Sequence, residues 1–279
     1  SEDNMCPSFL PLPSSAAGGP PSNKHLLLFI SHNLGCQYYI GTYKEDKFFP
    51  EHHGRMTWVD NAYFAPEALI DGQGRQIMWS WIFDDRPDKV KAEYGWTGTY
   101  GLPRSLWLGG DGKLRMRPVR ELQNLRLNEK IVGEFEVAPG KDMVLDSIGA
   151  SLMELEVTAS LRNAEQVKME VCVSEDGKER TSIIYDNPRK KLIIDTNHSS
   201  LGYGRKTMES APFELRKGEP LMLRIFIDKS IVEVYANDRQ AIARRIYPTL
   251  DGNGIRLSVE GGDAKVLSIK RWEMAASNP

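Results

Sequence analysis

The chain has 279 residues, of which 41% are hydrophobic and 27% are charged, and its formal net charge is −2. This balance is typical of a soluble globular protein with a sizeable core, and the length suits one large or two ordinary domains. Because the basic residues are dispersed and balanced by acidic ones, we expect no nucleic-acid partner and no binding to an anionic membrane.

The lengths of the apolar runs and the positions of the cysteines further limit the class of protein. The longest apolar run, Leu26 to Ile30, is far shorter than the ~20 residues of a transmembrane helix. The opening residues, Ser-Glu-Asp-Asn-Met-Cys-Pro, lack the basic and apolar regions of a signal peptide. Cys6, Cys36 and Cys172 suit neither a disulfide framework nor a paired zinc-ligand pattern. The sequence therefore predicts no membrane span and leaves the redox compartment open.

The predicted elements are short strands. Stretches rich in β-branched and aromatic residues recur between Gly, Pro, Asn and Asp residues, a rhythm that indicates an all-β sandwich, barrel or propeller. In chain order the predicted strands are Leu26–Ser31, Gln37–Tyr43, Gln76–Phe83, Lys168–Val173, Leu221–Ile227 and Ser230–Ala236.

Two segments break this rhythm. Pro11–Ser22 consists mainly of proline, glycine, serine and alanine, so we predict a surface loop there. Val119–Asn128 places Leu122 and Leu125 on one side of a helical turn or two. This second segment divides the chain into two predicted domains, residues 1–128 and 133–279. Deep burial is expected at Trp96, Leu102, Leu106, Val232 and Val234, which lie in the strand-forming stretches.

Four segments together resemble glycoside hydrolase family 32, the family of invertases, inulinases and levanases. The longest is Gly95-Trp96-Thr-Gly-Thr-Tyr-Gly-Leu-Pro103-Arg104-Ser-Leu106, continued by Gly112-Lys-Leu114 and Glu121-Leu122-Gln-Asn-Leu125-Arg126. Upstream lie Tyr63-Phe64-Ala65-Pro66-Glu67 and Arg75-Gln-Ile-Met-Trp-Ser-Trp81. Downstream, Phe226-Ile-Asp228-Lys-Ser230-Ile-Val-Glu233-Val-Tyr-Ala-Asn237-Asp238 resembles the signature of the C-terminal domain in that family.

The resemblance implies a fold and a chemistry. It implies an all-β chain: part of a five-bladed β-propeller over residues 1–128, followed by a β-sandwich over residues 133–279. It also implies β-fructosidase activity by a retaining mechanism with two carboxylates, no cofactor or metal for catalysis, and a fructose-containing oligo- or polysaccharide as partner. A secreted or extracytoplasmic location is favoured by the family, whereas the oligomeric state stays open.

The catalytic motifs of the family are only partly present. Its aspartate nucleophile and Arg-Asp-Pro motifs have no counterpart in these residues, so we expect the chain alone to be inactive. Cys6-Pro7-Ser8-Phe9 resembles the family's Cys-Pro-Asp-Phe, which normally follows the acid/base glutamate directly, but Met5 stands at that position. A bulge that shifts the carboxyl would make Glu2 the acid/base. Alternatively, Glu2 and Asp3 are solvated terminal residues and the site is inactive.

Aromatic residues supply the candidate sugar contacts. Trp81 matches the place where the family packs an aromatic ring against the fructosyl unit, and a flat ring suits the less polar face of a sugar. Phe64, Asp3 and Cys6 complete the predicted substrate-binding set. A tryptophan buried between sheets is the competing interpretation of Trp81, and Trp79 is interpreted as core or rim.

Three further patterns in the sequence resemble functional motifs but do not predict a functional site. His52 and His53 are adjacent, and neighbouring side chains of a strand point to opposite faces, so we predict no joint metal site. Gly95, Gly98 and Gly101 precede no βαβ unit, so a dinucleotide site is not expected. The downstream signature, including Ser230 and Glu233, is interpreted as structural, with a carbohydrate-contacting surface as the alternative.

The sequence is compatible with three functions. The leading hypothesis is a β-fructosidase acting on sucrose, inulin or levan. The second is a non-catalytic fructan-binding protein derived from the same fold, which Met5 favours. The third is a related furanosidase, because one fold hosts several activities.

Overall fold

The computed structural model describes residues 3–277, and its regular secondary structure is almost entirely β, with 54% strand and 5% helix. This confirms the predicted all-β class. The described residues form two compact units: unit 1 contains residues 3–84, 96–120 and 238–243, and unit 2 contains residues 85–95, 121–237 and 244–277. Among residues 3–277, the structure has no helix with the length and apolar character needed to cross a bilayer.

The first sheet of unit 1 is a four-stranded antiparallel meander. Its strands follow chain order: β1 (Met5–Pro13), β2 (Pro21–Ser31), β3 (Gly35–Lys44) and β4 (Lys47–Arg55). Glu45 and Asp46 form the β3–β4 turn, and both adopt the positive φ of a two-residue hairpin. The sheet buries Leu26, Leu28 and Ile40 almost completely, which supplies the hydrophobic free energy that holds it against its neighbour.

The second sheet of unit 1 follows directly along the chain. It contains β5 (Tyr63–Ile70), β6 (Gln76–Ile82), β7 (Thr99–Tyr100), β8 (Arg104–Leu108) and β9 (Leu114–Pro118). The order is β5-β6-β8-β9, with the short β7 also paired to β6. The helix α1 (Asp88–Tyr94) lies between β6 and β7 in the chain and ends at Gly95, whose left-handed conformation caps it.

Two larger antiparallel sheets follow along the chain. Their strands are β10 (Arg126–Val132), β11 (Phe135–Val137), β12 (Met143–Val144), β13 (Leu152–Ser160), β14 (Gln166–Val173), β15 (Thr181–Asp186), β16 (Lys191–Asp195), β17 (Met208–Pro212), β18 (Leu221–Asp228), β19 (Ile231–Ala236), β20 (Gln240–Arg245), β21 (Gly254–Glu260) and β22 (Ala264–Met274). All of these strands lie in unit 2 except for residues 240–243 of β20. One sheet has the order β10-β22-β13-β18-β19-β20, with β11 beside β22, and the other has the order β12-β21-β14-β15-β16-β17.

A charged network lies within the first of these sheets. Glu154 on β13 is completely buried, and its carboxylate accepts hydrogen bonds from Arg126 Nε at 2.8 Å and from Arg224 Nε at 2.9 Å. The Arg126 guanidinium also lies 3.8 Å from the centre of the Trp272 ring. A buried carboxylate needs such partners because its desolvation costs several kcal/mol when it is unpaired.

Each predicted strand lies inside an observed strand, except that the predictions include one residue too many at Phe83 and at Ser230. The predicted loop Pro11–Ser22 is wrong at both ends, because β1 continues to Pro13 and β2 begins at Pro21. The proline-rich segment is tolerated there because β1 is an edge strand, where a missing N–H breaks no ladder.

The predicted helical turn over Val119–Asn128 is partly confirmed. A 3₁₀ helix (η1) spans Arg120–Leu125, but the residues from Arg126 onward join strand β10. Among the residues expected to be buried, Leu106, Val232 and Val234 are at most 1% exposed. Leu102 is half-buried and Trp96 is 48% exposed, so those two predictions are wrong. Trp96 lies outside the strands, in the segment between α1 and β7. The boundary proposed between residues 128 and 133 stays a prediction.

Candidate functional site

The candidate site lies at one end of unit 1, where the start of β1, the end of β2, the start of β5 and the end of β6 meet. We define it by Asp3, His32, Asn61, Phe64 and Trp81. The N–H of Gly35, at the start of β3, donates to Asn61 Oδ1 at 3.2 Å, and Asn61 precedes β5 by two residues. This bond joins the ends of the two sheets.

Asp3 holds the turn that follows β2. Its Oδ1 accepts from the backbone N–H of His32 at 2.8 Å, and its Oδ2 pairs with His32 Nδ1. Hydrogen bonds from the His32 side chain and backbone hold the pKa of the Asp3 carboxyl below its usual value. Asp3 is therefore an ionised carboxylate at neutral pH.

Met5 and Cys6 follow at the start of β1, and both are exposed. The pairing of β1 with β2 shifts between Met5 and Ser8, and Cys6 adopts a φ of 49° within this bulge. The bulge lies after Met5. Glu2 lies outside the described residues, so the shift of its carboxyl stays a prediction.

The same bulge recurs at the start of β5. Ala65 has a φ of 51°, and the pairing of β5 with β6 shifts between Phe64 and Glu67. Each bulge places a residue of positive φ directly before a proline, Pro7 in β1 and Pro66 in β5. Phe64 thus occupies in the second sheet the position that Met5 occupies in the first.

An aromatic cluster forms beside the second bulge. The rings of Phe64 and Trp81 are tilted, with centroids 4.9 Å apart, and Phe64 lies 5.9 Å from Phe83. Both Phe64 and Trp81 are half-buried. Gly98 packs against the indole, because a Cβ added at Gly98 would lie 1.8 Å from Trp81 Nε1. The ring is therefore held in place while part of it stays accessible.

The remaining sequence candidates contribute less to this end of unit 1. Trp79 is half-buried and lies opposite Glu67 on β5. His53 pairs with Gln37 Oε1 at 2.8 Å, and His52 packs at 6.2 Å on the ring of Tyr38. No group of three or more metal-ligating side chains occurs among the residues that the structure describes.

Comparison with known families and proteins gives these residues a context. Residues 4–118 match the N-terminal domain of glycosyl hydrolases family 32, and residues 121–273 match the C-terminal domain of that family. The chain belongs to glycosyl hydrolase family 32. The resemblance that the motifs predicted is thereby confirmed.

Members of family 32 with curated names are similar over almost the whole chain. A sucrose-6-phosphate hydrolase of Zymomonas mobilis is 28% identical over 291 residues, which cover 98% of this chain and 54% of that protein. A beta-fructofuranosidase of Arabidopsis thaliana, insoluble isoenzyme CWINV5, is 26% identical over 332 residues, covering 98% of this chain and 58% of that protein. The chain thus spans little more than half the length of these relatives.

Solved structures of family 32 enzymes share the fold. Fructan 1-exohydrolase IIa from Cichorium intybus superposes with a TM-score of 0.86 at 21% identity, over 98% of this chain and 62% of that chain. Exo-inulinase from Aspergillus awamori superposes with a TM-score of 0.80 at 17% identity, over 98% and 57%. The fold is that of β-propeller blades followed by a β-sandwich, as predicted.

Two contacts that shape the candidate site could not be predicted from the sequence. The sequence leaves two roles open for His32, lining the site or hydrogen-bonding to the backbone, and the structure shows it paired with Asp3. Gly98 is interpreted from the sequence as serving a tight turn or a close approach of strands, and the structure shows that its missing side chain makes room for Trp81. The family segment Gly95–Leu106 contains Gly98, but its contact with Trp81 depends on the pairing of Trp81 with Tyr100 on β7.

Proposed function

We propose that the complete protein is a β-fructosidase that releases terminal β-fructofuranosyl units from sucrose, inulin or levan. The observation that carries this proposal is the half-exposed Phe64–Trp81 cluster in unit 1, a unit that also contains the ionised Asp3 carboxylate. Membership in family 32 supports it, as do the names of similar proteins, which include fructan 1-exohydrolases. In this proposal residues 1–128 form propeller blades and residues 133–279 form the sandwich.

The substrate contacts follow from the side chains at this end. Trp81 and Phe64 would pack against the less polar face of the fructosyl ring. Asp3, held by His32, would accept hydrogen bonds from sugar hydroxyls, and Cys6 is exposed three residues further along the chain. Retention of configuration requires two carboxyl groups about 5–5.5 Å apart, one as nucleophile and one as acid/base. Trp81, Phe64, Asp3 and Cys6 would thus orient the sugar for these two groups.

Glu2 is our candidate for the acid/base. A general acid must carry its proton when the substrate arrives. Asp3 does not meet this condition, because its hydrogen bonds to His32 hold its pKa low. Met5, at the position of the family's glutamate, cannot transfer a proton. Glu2 is the remaining carboxyl in the segment before Cys6.

A non-catalytic fructan-binding protein is the second candidate function. The observation that favours it is Met5, whose side chain is 46% exposed at the very position where the family places its acid/base. In this alternative the aromatic cluster binds fructose units without cleaving them. Asp3 would then serve only to hold the His32 turn.

Hydrolysis by the complete protein tests the proposal. Glu2→Gln should slow the cleavage of sucrose far more than that of an aryl fructoside whose leaving group needs little protonation. Azide should restore activity toward the aryl fructoside, because it replaces base-activated water in the second half-reaction. Asp3→Asn is the matched control and should not show this substrate dependence or azide rescue.

The outcomes separate the two candidates. Equal losses on both substrates for Glu2→Gln, with no azide effect, would exclude Glu2 as the acid/base. Fructan binding without turnover by the unmutated complete protein would establish the non-catalytic alternative.

A further inference from the structure

Unit 2 contains a cavity of about 440 Å³. Its walls are the loop around Tyr203, the Lys229–Ser230 turn between β18 and β19, and the segment Tyr247–Asn253. We call this cavity the tyrosine pocket. Its volume lies within the range of ~300–1,000 Å³ that is usual for small-molecule sites.

Two tyrosines form the aromatic wall of the tyrosine pocket. The ring centroids of Tyr203 and Tyr247 are 5.2 Å apart and the planes are inclined by 57°. Tyr247 is 7% exposed, and its hydroxyl accepts a hydrogen bond from the Asp85 N–H at 3.0 Å. Tyr203 is half-exposed. Tyr247 is therefore a fixed support, and Tyr203 offers its ring to a ligand.

Polar side chains also line the tyrosine pocket. Lys229, Asp251 and Asn253 are exposed there, and within residues 3–277 their side chains make no hydrogen bond or ion pair. Their backbone is nevertheless fixed on the Lys229 side, because Lys229 N–H donates to Ser151 O at 3.2 Å and Ile246 N–H donates to Ser230 O at 2.8 Å. The tyrosine pocket thus combines donors and acceptors with a fixed frame.

The two flanking loops are tied together by Glu179, which is 1% exposed. Its carboxylate accepts hydrogen bonds from the N–H groups of Thr249 and Leu250, both at 2.8 Å, and from the N–H of Leu201. The first two residues precede Asp251 and the third precedes Tyr203. Because one buried carboxylate holds both loops, a ligand would meet a pocket that is already ordered, which lowers the entropy cost of binding.

We propose that the tyrosine pocket is a saccharide-binding site built by unit 2 alone, with a segment of a neutral β-fructan as ligand. A sugar ring has one less polar face to pack on Tyr203 and hydroxyls that both donate and accept. Asp251 and Asn253 oxygens accept from such hydroxyls, and Lys229 donates to them. Lys229 and Asp251 carry opposite charges, so together they offer no net positive charge that would select an anionic ligand. The choice of a fructan rests on the proposed function, whereas the chemistry of the pocket requires only a neutral, hydroxyl-rich ligand.

Methyl NMR of the 279-residue chain tests this site directly, because Ile227 and Leu250 line the tyrosine pocket. The probes are the trisaccharide 1-kestose and short inulin oligosaccharides, with maltohexaose as the comparison. We expect the Ile227 and Leu250 signals to shift on adding the fructans. Tyr203→Ala and Asp251→Ala should each weaken this response at least tenfold, whereas Asp142→Ala, an exposed aspartate of unit 2 outside the tyrosine pocket, should leave it unchanged.

A variant in the candidate site keeps the two proposals apart. Trp81→Ala should leave the Ile227 and Leu250 response intact, even if the proposed hydrolase activity is absent. Shifts with maltohexaose but not with fructans would overturn the ligand class. An unchanged response in both Tyr203→Ala and Asp251→Ala, or no response of Ile227 and Leu250 to any saccharide, would overturn the site itself.

Discussion

Gly98 lies directly against the indole of Trp81: an added Cβ would lie 1.8 Å from Nε1 and 2.0 Å from Cε2. Gly98 also has a φ of 70°, which disfavours any side chain. We therefore expect Gly98→Ala to displace Trp81 and to lower the free energy of unfolding by about 2–5 kcal/mol, the sum of backbone strain and overpacking. Chemical denaturation measures the loss.

Substitutions at two other glycines distinguish the cost of backbone strain from the cost of overpacking. Gly95 has a φ of 73° with no atom within 4 Å of an added Cβ, so Gly95→Ala should show the strain alone, about 1–2 kcal/mol. Gly110 has neither strain nor neighbours, and Gly110→Ala should be close to neutral. If Gly98→Ala cost no more than Gly95→Ala, the packing of Gly98 on Trp81 would not contribute to stability.

Trp81→Ala in the complete protein should reduce kcat/KM for sucrose by about tenfold, since an aromatic contact is worth roughly 0.5–1.5 kcal/mol beyond its buried area. Trp79→Ala is the matched control on the same strand and should change kcat/KM much less. Steady-state kinetics with both variants provides the measurement. Equal effects of the two substitutions would place Trp81 in the structural core rather than in the sugar site.

Glu154→Gln should destabilise unit 2 by roughly 3–5 kcal/mol, because it leaves the guanidinium groups of Arg126 and Arg224 without their buried counter-charge. Glu156 lies on the same strand, is half-buried and makes no ion pair within residues 3–277. Glu156→Gln should therefore cost far less. Thermal unfolding of both variants checks this, and a near-neutral Glu154→Gln would mean that the network adds no net stability.

The stability contribution of Glu179 should depend on pH. Burial opposes ionisation of Glu179, but hydrogen bonds from Leu250, Thr249 and Leu201 outweigh burial and hold its pKa below the usual glutamate value of 4.5. A depressed pKa in the folded state means that the stabilisation is present above 4.5 and is lost as pH falls through the lower folded value. Glu179→Gln should cost roughly 2 kcal/mol or more at pH 7.

Denaturation between pH 7 and pH 3 measures this dependence. The difference between the unmutated chain and Glu179→Gln should shrink as the pH falls below 4.5. The control is Glu175→Gln, since Glu175 is exposed and lies in the same turn region, and its effect should be small at every pH. A Glu179 difference that is constant with pH would contradict the assignment.

The positions of most strands were predictable because they depend on residue preferences over short stretches of sequence. Strands such as Leu221–Asp228 and Ile231–Ala236 consist of β-branched and aromatic residues between turn formers, and those preferences act within a few residues. The family could be recognised for a similar reason, since segments such as Gly95–Leu106 keep their residue types together in the chain.

Features that depend on pairing between distant strands were not predictable. Whether Pro11–Pro13 forms a loop or an edge strand depends on β2, and whether Trp96 is buried depends on the loop that carries it. The matching bulges at Cys6 and Ala65 share only a following proline, so the equivalence of Met5 and Phe64 became visible only through the register of β1 and β5 with their neighbours.

The sequence by itself determined the strands, the family and the residue types available for sugar chemistry, because each of these follows from composition over short stretches. The tertiary structure decided which of those residues meet: Asp3 with His32, Gly98 with Trp81, and Tyr203 with Tyr247. Tyr203 and Tyr247 are far apart in the chain, and no periodic pattern links them. The loops that carry them pack around the buried Glu179 carboxylate, which accepts hydrogen bonds from Leu201 and Thr249. A buried ionised group requires hydrogen-bond donors, and here the donors come from two segments that are distant in the chain.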